Sequence, residues 1–121
     1  MKLILIVDDD AVSRVALSGV IKTRRPKARI VHAECGDSAW RVIQRFAEKP
    51  DIVISDVNMP GETDGVKLAE MIEQSCKGTH IILVSGNPEP NRHKAHNFLN
   101  KPVPVGVLME IIENGPPKKK A

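Results

Sequence analysis

Aromatic residues are scarce in this chain of 121 residues: Trp40, Phe46 and Phe98 are the whole set, and tyrosine is absent. That argues against the stacking platforms that single-stranded nucleic acid binders use. Cysteine is just as sparse. Cys35 and Cys76 stand in no metal-like or redox spacing, which predicts two reduced, mostly buried thiols. No apolar run approaches the ~20 residues of a spanning helix. The N-terminus lacks the apolar core and small-residue cleavage site of a signal peptide. The expectation is a cytoplasmic protein without membrane contact.

A basic surface is missing too. The formal net charge is +3, but Lys118, Lys119 and Lys120 account for all of it. The body has no cationic footprint for nucleic acid, and the lysines read as a solubilising tail on residues 116–121. The remaining 1–115 fit one domain with a real core.

What the chain does have is apolar runs that alternate with helical patterns, the mark of parallel βα units. Strands are expected at Leu3–Val7, Arg29–Ala33, Ile52–Ser55, His80–Val84 and Asn97–Asn100. Between the first two, Val12, Val15, Ala16, Gly19 and Val20 recur at helical spacing behind Asp10, a suitable N-cap. Asp37 or Ser38 can cap a second helix carrying Ala39, Val42, Ile43, Phe46 and Ala47, which Pro50 ends. A third helix starts near Asp64-Gly65 and buries Leu68, Met71 and Ile72, with Cys76 on the same side. The last follows Pro104 and carries Val107, Leu108, Ile111 and Ile112 to Gly115. About five helices are expected in all. Residues 86–96, with Pro88 and Pro90, allow at most a short, irregular one.

The chemistry sits at the strand ends. Asp8-Asp9-Asp10 follows the first strand, Asp56 the third, Ser85 the fourth and Lys101 the fifth. In an open parallel sheet these carboxyl ends form the ligand-binding edge. Asp8, Asp9 and Asp56 at adjacent ends repel one another unless a cation is present, and one or two carboxylates with phosphate oxygens suit Mg²⁺. Lys101 suits a phosphate oxygen, and the Ser85 hydroxyl can donate to the same group. The set describes phosphoryl transfer, in which positioning and charge neutralisation do most of the catalysis.

Each signal alone has a plainer reading. An Asp-Asp-Asp run is usually a solvated turn, and Lys-Pro by itself indicates nothing. His93 and His96 read as solvated rather than as metal ligands. Trp40 reads as core or half-buried. The joint occurrence at four strand ends favours function.

These residues resemble a known family. Ile6-Val7-Asp8-Asp9-Asp10, Ser55-Asp56-Val57-Asn58-Met59-Pro60, Asp64-Gly65, Val84-Ser85-Gly86 and Lys101-Pro102, in this order, are similar to the receiver (phosphoacceptor) domain of two-component response regulators. The resemblance covers residues 2 to about 114. It implies a flavodoxin-like, doubly wound (βα)5 parallel sheet of order 2-1-3-4-5. It also implies that Asp56 accepts a phosphoryl group from a histidine kinase or phosphotransfer protein. Asp9 would bind Mg²⁺ directly, Asp8 through water and Asn58 through its backbone carbonyl. Ser85 and Lys101 would contact phosphoryl oxygens, and Phe98 matches the switch aromatic. Asp10 remains a helix cap.

Two departures from the pattern stand out. The loop from Asp56 to Asp64 is one residue longer than in the single-domain chemotaxis regulator. The Ser85–Lys101 separation is shorter than usual, which shortens the fourth crossover helix or makes it irregular. Both look like receivers associated with hybrid histidine kinases. The face that reads out phosphorylation should therefore be remodelled.

The leading expectation is a stand-alone regulator without an output domain, signalling to a downstream protein target. It would have no enzymatic activity beyond its own aspartyl phosphorylation and dephosphorylation. The alternatives are a passive phosphate sink or non-switching interaction module with the same fold, and a Mg²⁺-dependent phosphatase of small substrates.

Overall fold

A computed structural model describes residues 2–117; Lys118, Lys119 and Lys120 of the expected tail lie outside the described residues. Five strands form one parallel sheet: β1 (Leu3–Val7), β2 (Arg29–Ala33), β3 (Ile52–Asp56), β4 (His80–Ser85) and β5 (Asn97–Asn100). Their order is β2-β1-β3-β4-β5, as expected. The helices are α1 (Ala11–Arg24), α2 (Gly36–Arg45), α3 (Gly65–Ser75) and α4 (Val105–Asn114).

The central strands are apolar on both sides because helices cover both faces. On one face, Ile4, Ile6, Ile54, Ile82 and Val84 pack with Ile21 of α1 and Leu108, Met109 and Ile112 of α4. On the other, Leu5, Val7, Val53 and Ile81 pack with Ala39 and Ile43 of α2 and Leu68 and Ile72 of α3. Each fully buried Ile or Leu contributes roughly 1.5–3 kcal/mol of transfer free energy. Trp40 is half-buried against the second cluster.

Helix ends follow local chemistry. Asp10 accepts from the Val12 amide at 3.1 Å and from Ser13 Oγ at 2.8 Å, so it caps α1. Asp64 accepts from the Lys67 amide at 2.8 Å and caps α3. The cap of α2 is Cys35 rather than Asp37 or Ser38; Ser38 Oγ turns back to accept from the Cys35 amide at 3.3 Å. The same helix stops at Arg45, short of Ala47, because Phe46 is extended. Lys49 Nζ donates to the carbonyl of Ile43, in the last turn, at 3.2 Å.

Two further expectations are corrected. The stripe of Val12, Val15, Ala16 and Gly19 faces solvent, with Val12 76% and Val15 67% exposed. Leu17 and Ile21 are the larger apolar pair one turn apart, and they set the inward face of α1. The chain also forms four helices rather than about five among the described residues. Residues 86–96, between β4 and β5, contain no helix.

That crossover is held by polar contacts instead. Asn87 N–H donates to Ser85 Oγ at 3.0 Å, and His96 N–H donates to the Ile81 carbonyl at 2.9 Å. By register Phe98 lies opposite Leu83 and shares its face. Leu83 is fully buried and Phe98 half-buried, and Ala95 of the loop packs against the second apolar cluster.

Candidate phosphoryl-transfer site

The register builds the site. Val7 pairs with Ser55, so one step further brings Asp8 beside Asp56. Asp56 pairs with Val84, and Ser85 with Asn100. Asp8, Asp56, Ser85 and Lys101 therefore emerge along one sheet edge, at the carboxyl ends of four neighbouring strands.

Asp8 is 6% and Asp56 8% exposed, whereas Asp9 is exposed. One carboxylate oxygen from each of the three lies within 4.8 Å of the others. Lys101 Nζ sits between two of them, 3.1 Å from Asp8 Oδ2 and 3.2 Å from Asp56 Oδ2. The second Asp8 oxygen accepts from the Asp10 amide at 2.9 Å, and Arg14 donates to the Asp8 carbonyl. Lys101 is fixed from below by its own amide, which donates to the Ser85 carbonyl at 2.8 Å. The following Lys101-Pro102 peptide is cis.

Electrostatics match this crowding. Burial raises the Asp56 carboxyl above its ordinary 3.8; Lys101 opposes the shift, and Asp8 and Asp9 add to it. Burial pulls the Lys101 ammonium down, but hydrogen bonds and charges from Asp8 and Asp56 outweigh it and hold the group above 10.5. Three carboxylates and one ammonium leave a net negative cluster of hard oxygen donors. Such a donor set fits a small divalent cation.

The backbone behind Asp56 is equally constrained. Gly65 N–H donates to the Val57 carbonyl at 2.8 Å. A Cβ at Gly65 would lie 2.2 Å from the Asp56 carbonyl oxygen and 2.8 Å from Val57 Cα. Only glycine permits this approach. Ser85 is buried, Asn58 exposed at the start of the loop after β3, and Phe98 half-buried on β5.

His93 and His96 are not the solvated side chains expected. His93 Nε2 is 2.7 Å from Glu89 Oε2, with its side chain 11% exposed. His96 Nδ1 accepts from the Ile81 amide at 3.0 Å and meets the His80 ring edge-on at 5.3 Å. Sequence reasoning has His80 opening a strand but misses its contacts with His96 and Asn97, because a histidine there gives no signal of its own. It also takes Asp37 as a candidate cap and misses its pairing with Thr63, at 2.6 Å across 26 residues.

Comparisons with known proteins agree with this fold. The family profile described as the response regulator receiver domain matches residues 4–113. The chain is 31% identical over 119 residues to the 3',5'-cyclic-nucleotide phosphodiesterase regA of Dictyostelium discoideum, covering 91% of this chain and 15% of that protein. It spans between 11% and 24% of the length of the first curated relatives it matches. Among solved structures, the receiver domain of the hybrid histidine kinase CckA is 26% identical with a TM-score of 0.76, over 93% of this chain and 96% of that one. A receiver domain protein from Methanospirillum hungatei JF-1 shares the fold with a TM-score of 0.83 at 22% identity, over 94% and 92% of the two chains.

Proposed function

Because this chain belongs to the response regulator receiver domain family, we propose that Asp56 is its phosphoacceptor in His-to-Asp signal transfer. The observation that carries the reading is the position of Asp56: buried, raised in pKa, and held by Lys101 within a cluster of three carboxylates. The donor is a phosphohistidine on a sensor kinase or phosphotransfer protein. A carboxylate oxygen of Asp56 forms the new O–P bond while the N–P bond breaks. The electron pair stays on the imidazole nitrogen, which takes a proton from solvent.

The residues assign themselves by charge and reach. Asp9, Asp56, Asp8 and the Asn58 carbonyl would hold Mg²⁺. Both Asp8 oxygens already accept, from Asp10 and Lys101, which favours Asp8 acting through water and Asp9 directly. A bound divalent cation would neutralise charge on the carboxylates and on the transferring phosphoryl oxygens. Lys101 is placed to follow the charge from the Asp56 carboxylate onto the phosphoryl oxygens. Ser85 supplies a hydroxyl from the neighbouring strand end. No activity beyond this self-modification and its hydrolysis is proposed. Among the described residues no helix is long and apolar enough to cross a membrane.

Phosphorylation adds about −1.5 to −2 charges, and its reading-out runs through Ser85 and Phe98 to a protein target. The missing helix between β4 and β5 also favours a second reading, a phosphate sink that does not switch. Phosphoramidate with Mg²⁺ tests the first claim. The intact protein should gain one phosphoryl mass, and chelation or Asp56→Asn should abolish the gain; no gain in the wild type would refute it. Amide spectra with beryllofluoride then separate the two readings. Changes that reach Phe98 support a switch, and changes confined to the Asp56 pocket support a sink.

A further inference from the structure

The loop that leaves Asp56 is tied to a helix with no direct part in the site. Thr63 is 7% exposed, and its Oγ1 donates to Asp37 Oδ1 in the first turn of α2 at 2.6 Å. The other Asp37 oxygen faces the same loop: a Cβ at Gly61 would lie 2.7 Å from Asp37 Oδ2. Gly61 holds φ +98, a conformation glycine adopts without strain. Next to Asp37, Gly36 lets the backbones touch, since a Cβ there would stand 2.2 Å from the Thr63 carbonyl oxygen. So residues 61–63 close around one carboxylate.

The opposite end of the loop is pinned to the site itself. Gly65 donates to Val57 and packs against the Asp56 carbonyl, so residues 57–64 form a short span fixed at both ends. Asn58 lies within that span. Asp37 and Asp9 also line one cleft of about 410 Å³ with Glu34, Cys35, Pro60 and Gly61.

We propose that Asp37 is a positioning residue for cation binding, acting through Thr63 to fix the loop that carries Asn58. It does so without touching the cation or the phosphoryl group. The assignment rests on the reading of Asp8, Asp9 and Asp56 as the cation site. Partners behind a ligand set its orientation, and their loss typically weakens metal binding about 10–100-fold. The Thr63–Asp37 pair acts one step further back, through the loop that carries Asn58 rather than on its carbonyl, so the low end of that range is expected.

The test is a Mg²⁺ titration of the full chain followed by amide resonances of Asp9, Asn58 and Asp56. Thr63→Val removes the hydroxyl without changing charge or bulk. It should weaken Mg²⁺ binding about tenfold or more, and Thr63→Ser should restore it to within about twofold of wild type. Asp37→Ala, which removes the acceptor for Thr63 Oγ1 and leaves the glycine contacts in place, should also weaken binding. Its deficit should persist in high salt, where through-space attraction is screened.

Wild-type affinity in Thr63→Val would overturn the positioning role. So would a Thr63→Ser variant no tighter than Thr63→Val, or an Asp37→Ala deficit that vanishes in high salt. If Thr63→Val does not fold, Asp37→Ala in high salt decides alone. Failure of the wild type to bind Mg²⁺ at Asp9 and Asp56 is a different result, and it would refute the site assignment itself.

Discussion

Asn100 holds the start of the helix-less crossover from the neighbouring strand. Its Nδ2 donates to the Ser85 carbonyl at 3.2 Å and to the Asn87 carbonyl at 2.8 Å. Ser85 Oγ meanwhile accepts from the Asn87 amide. The serine at the site and the loop beyond it are thus one hydrogen-bonded unit. Asn100→Ala should cost about 1 kcal/mol of stability and speed amide hydrogen exchange across residues 86–96. Unchanged exchange there would mean that the loop is held by its other contacts.

Lys101 sets its ammonium between Asp8 and Asp56. Lys101→Met leaves two crowded carboxylates without their cation. With the lysine side chain 32% exposed, solvent screens part of the loss, and about 1–2 kcal/mol of destabilisation is expected without Mg²⁺. Added Mg²⁺ should recover much of it, whereas phosphorylation should remain impaired. Thermal unfolding with and without Mg²⁺ checks the first part, and phosphoramidate labelling the second.

The Asp56 pKa has a sign that can be tested. A carboxyl held above its unfolded value of 3.8 binds its proton more tightly in the folded state. Folding therefore loses stability as pH rises from 3.8 through the raised value. Asp56→Asn removes that loss, so at neutral pH without metal the variant should melt at or above the wild-type temperature. Mg²⁺ should stabilise the wild type and leave the variant largely unaffected. A variant clearly less stable than the metal-free wild type would contradict this.

His80 predicts the opposite slope. Burial depresses its pKa below 6.5, Lys2 adds to the effect, and the hydrogen bond to Asn97 at 2.6 Å opposes it. The unfolded chain then binds the proton more readily. This contribution to stability is complete above 6.5 and is lost as pH falls through the lowered folded value. His80→Gln should flatten the decline in denaturant midpoint below pH 6.5. An unchanged slope would show that other groups govern it.

Much of this was legible in the sequence because the signals were continuous. Unbroken apolar runs such as Ile81-Ile82-Leu83-Val84 leave little choice but a central parallel strand, and the residue after each run then falls on the sheet edge. Asp8, Asp9, Asp56, Ser85 and Lys101 were placed at that edge in this way. Local periodicity misled at α1, where Val12 and Val15 matched a helical stripe but the larger Leu17 and Ile21 took the core. The caps of α1 and α3 could be read from Asp10 and Asp64. The cap of α2 could not, because Asp37 was drawn to Thr63, and a side-chain bond across 26 residues leaves no local pattern. The crossover after Ser85 was marked as irregular by Pro88 and Pro90. Its histidine and asparagine contacts depend on tertiary neighbours.

The central claim is that one carboxylate among four neighbouring aspartates accepts the phosphoryl group. Borohydride reduces an aspartyl phosphate to homoserine while leaving free carboxylates intact. Phosphoramidate and Mg²⁺ treatment, borohydride reduction and peptide mapping should therefore place homoserine at position 56 and leave Asp8, Asp9 and Asp10 unchanged. Homoserine at position 8, 9 or 10, or at none of the four, would contradict the account.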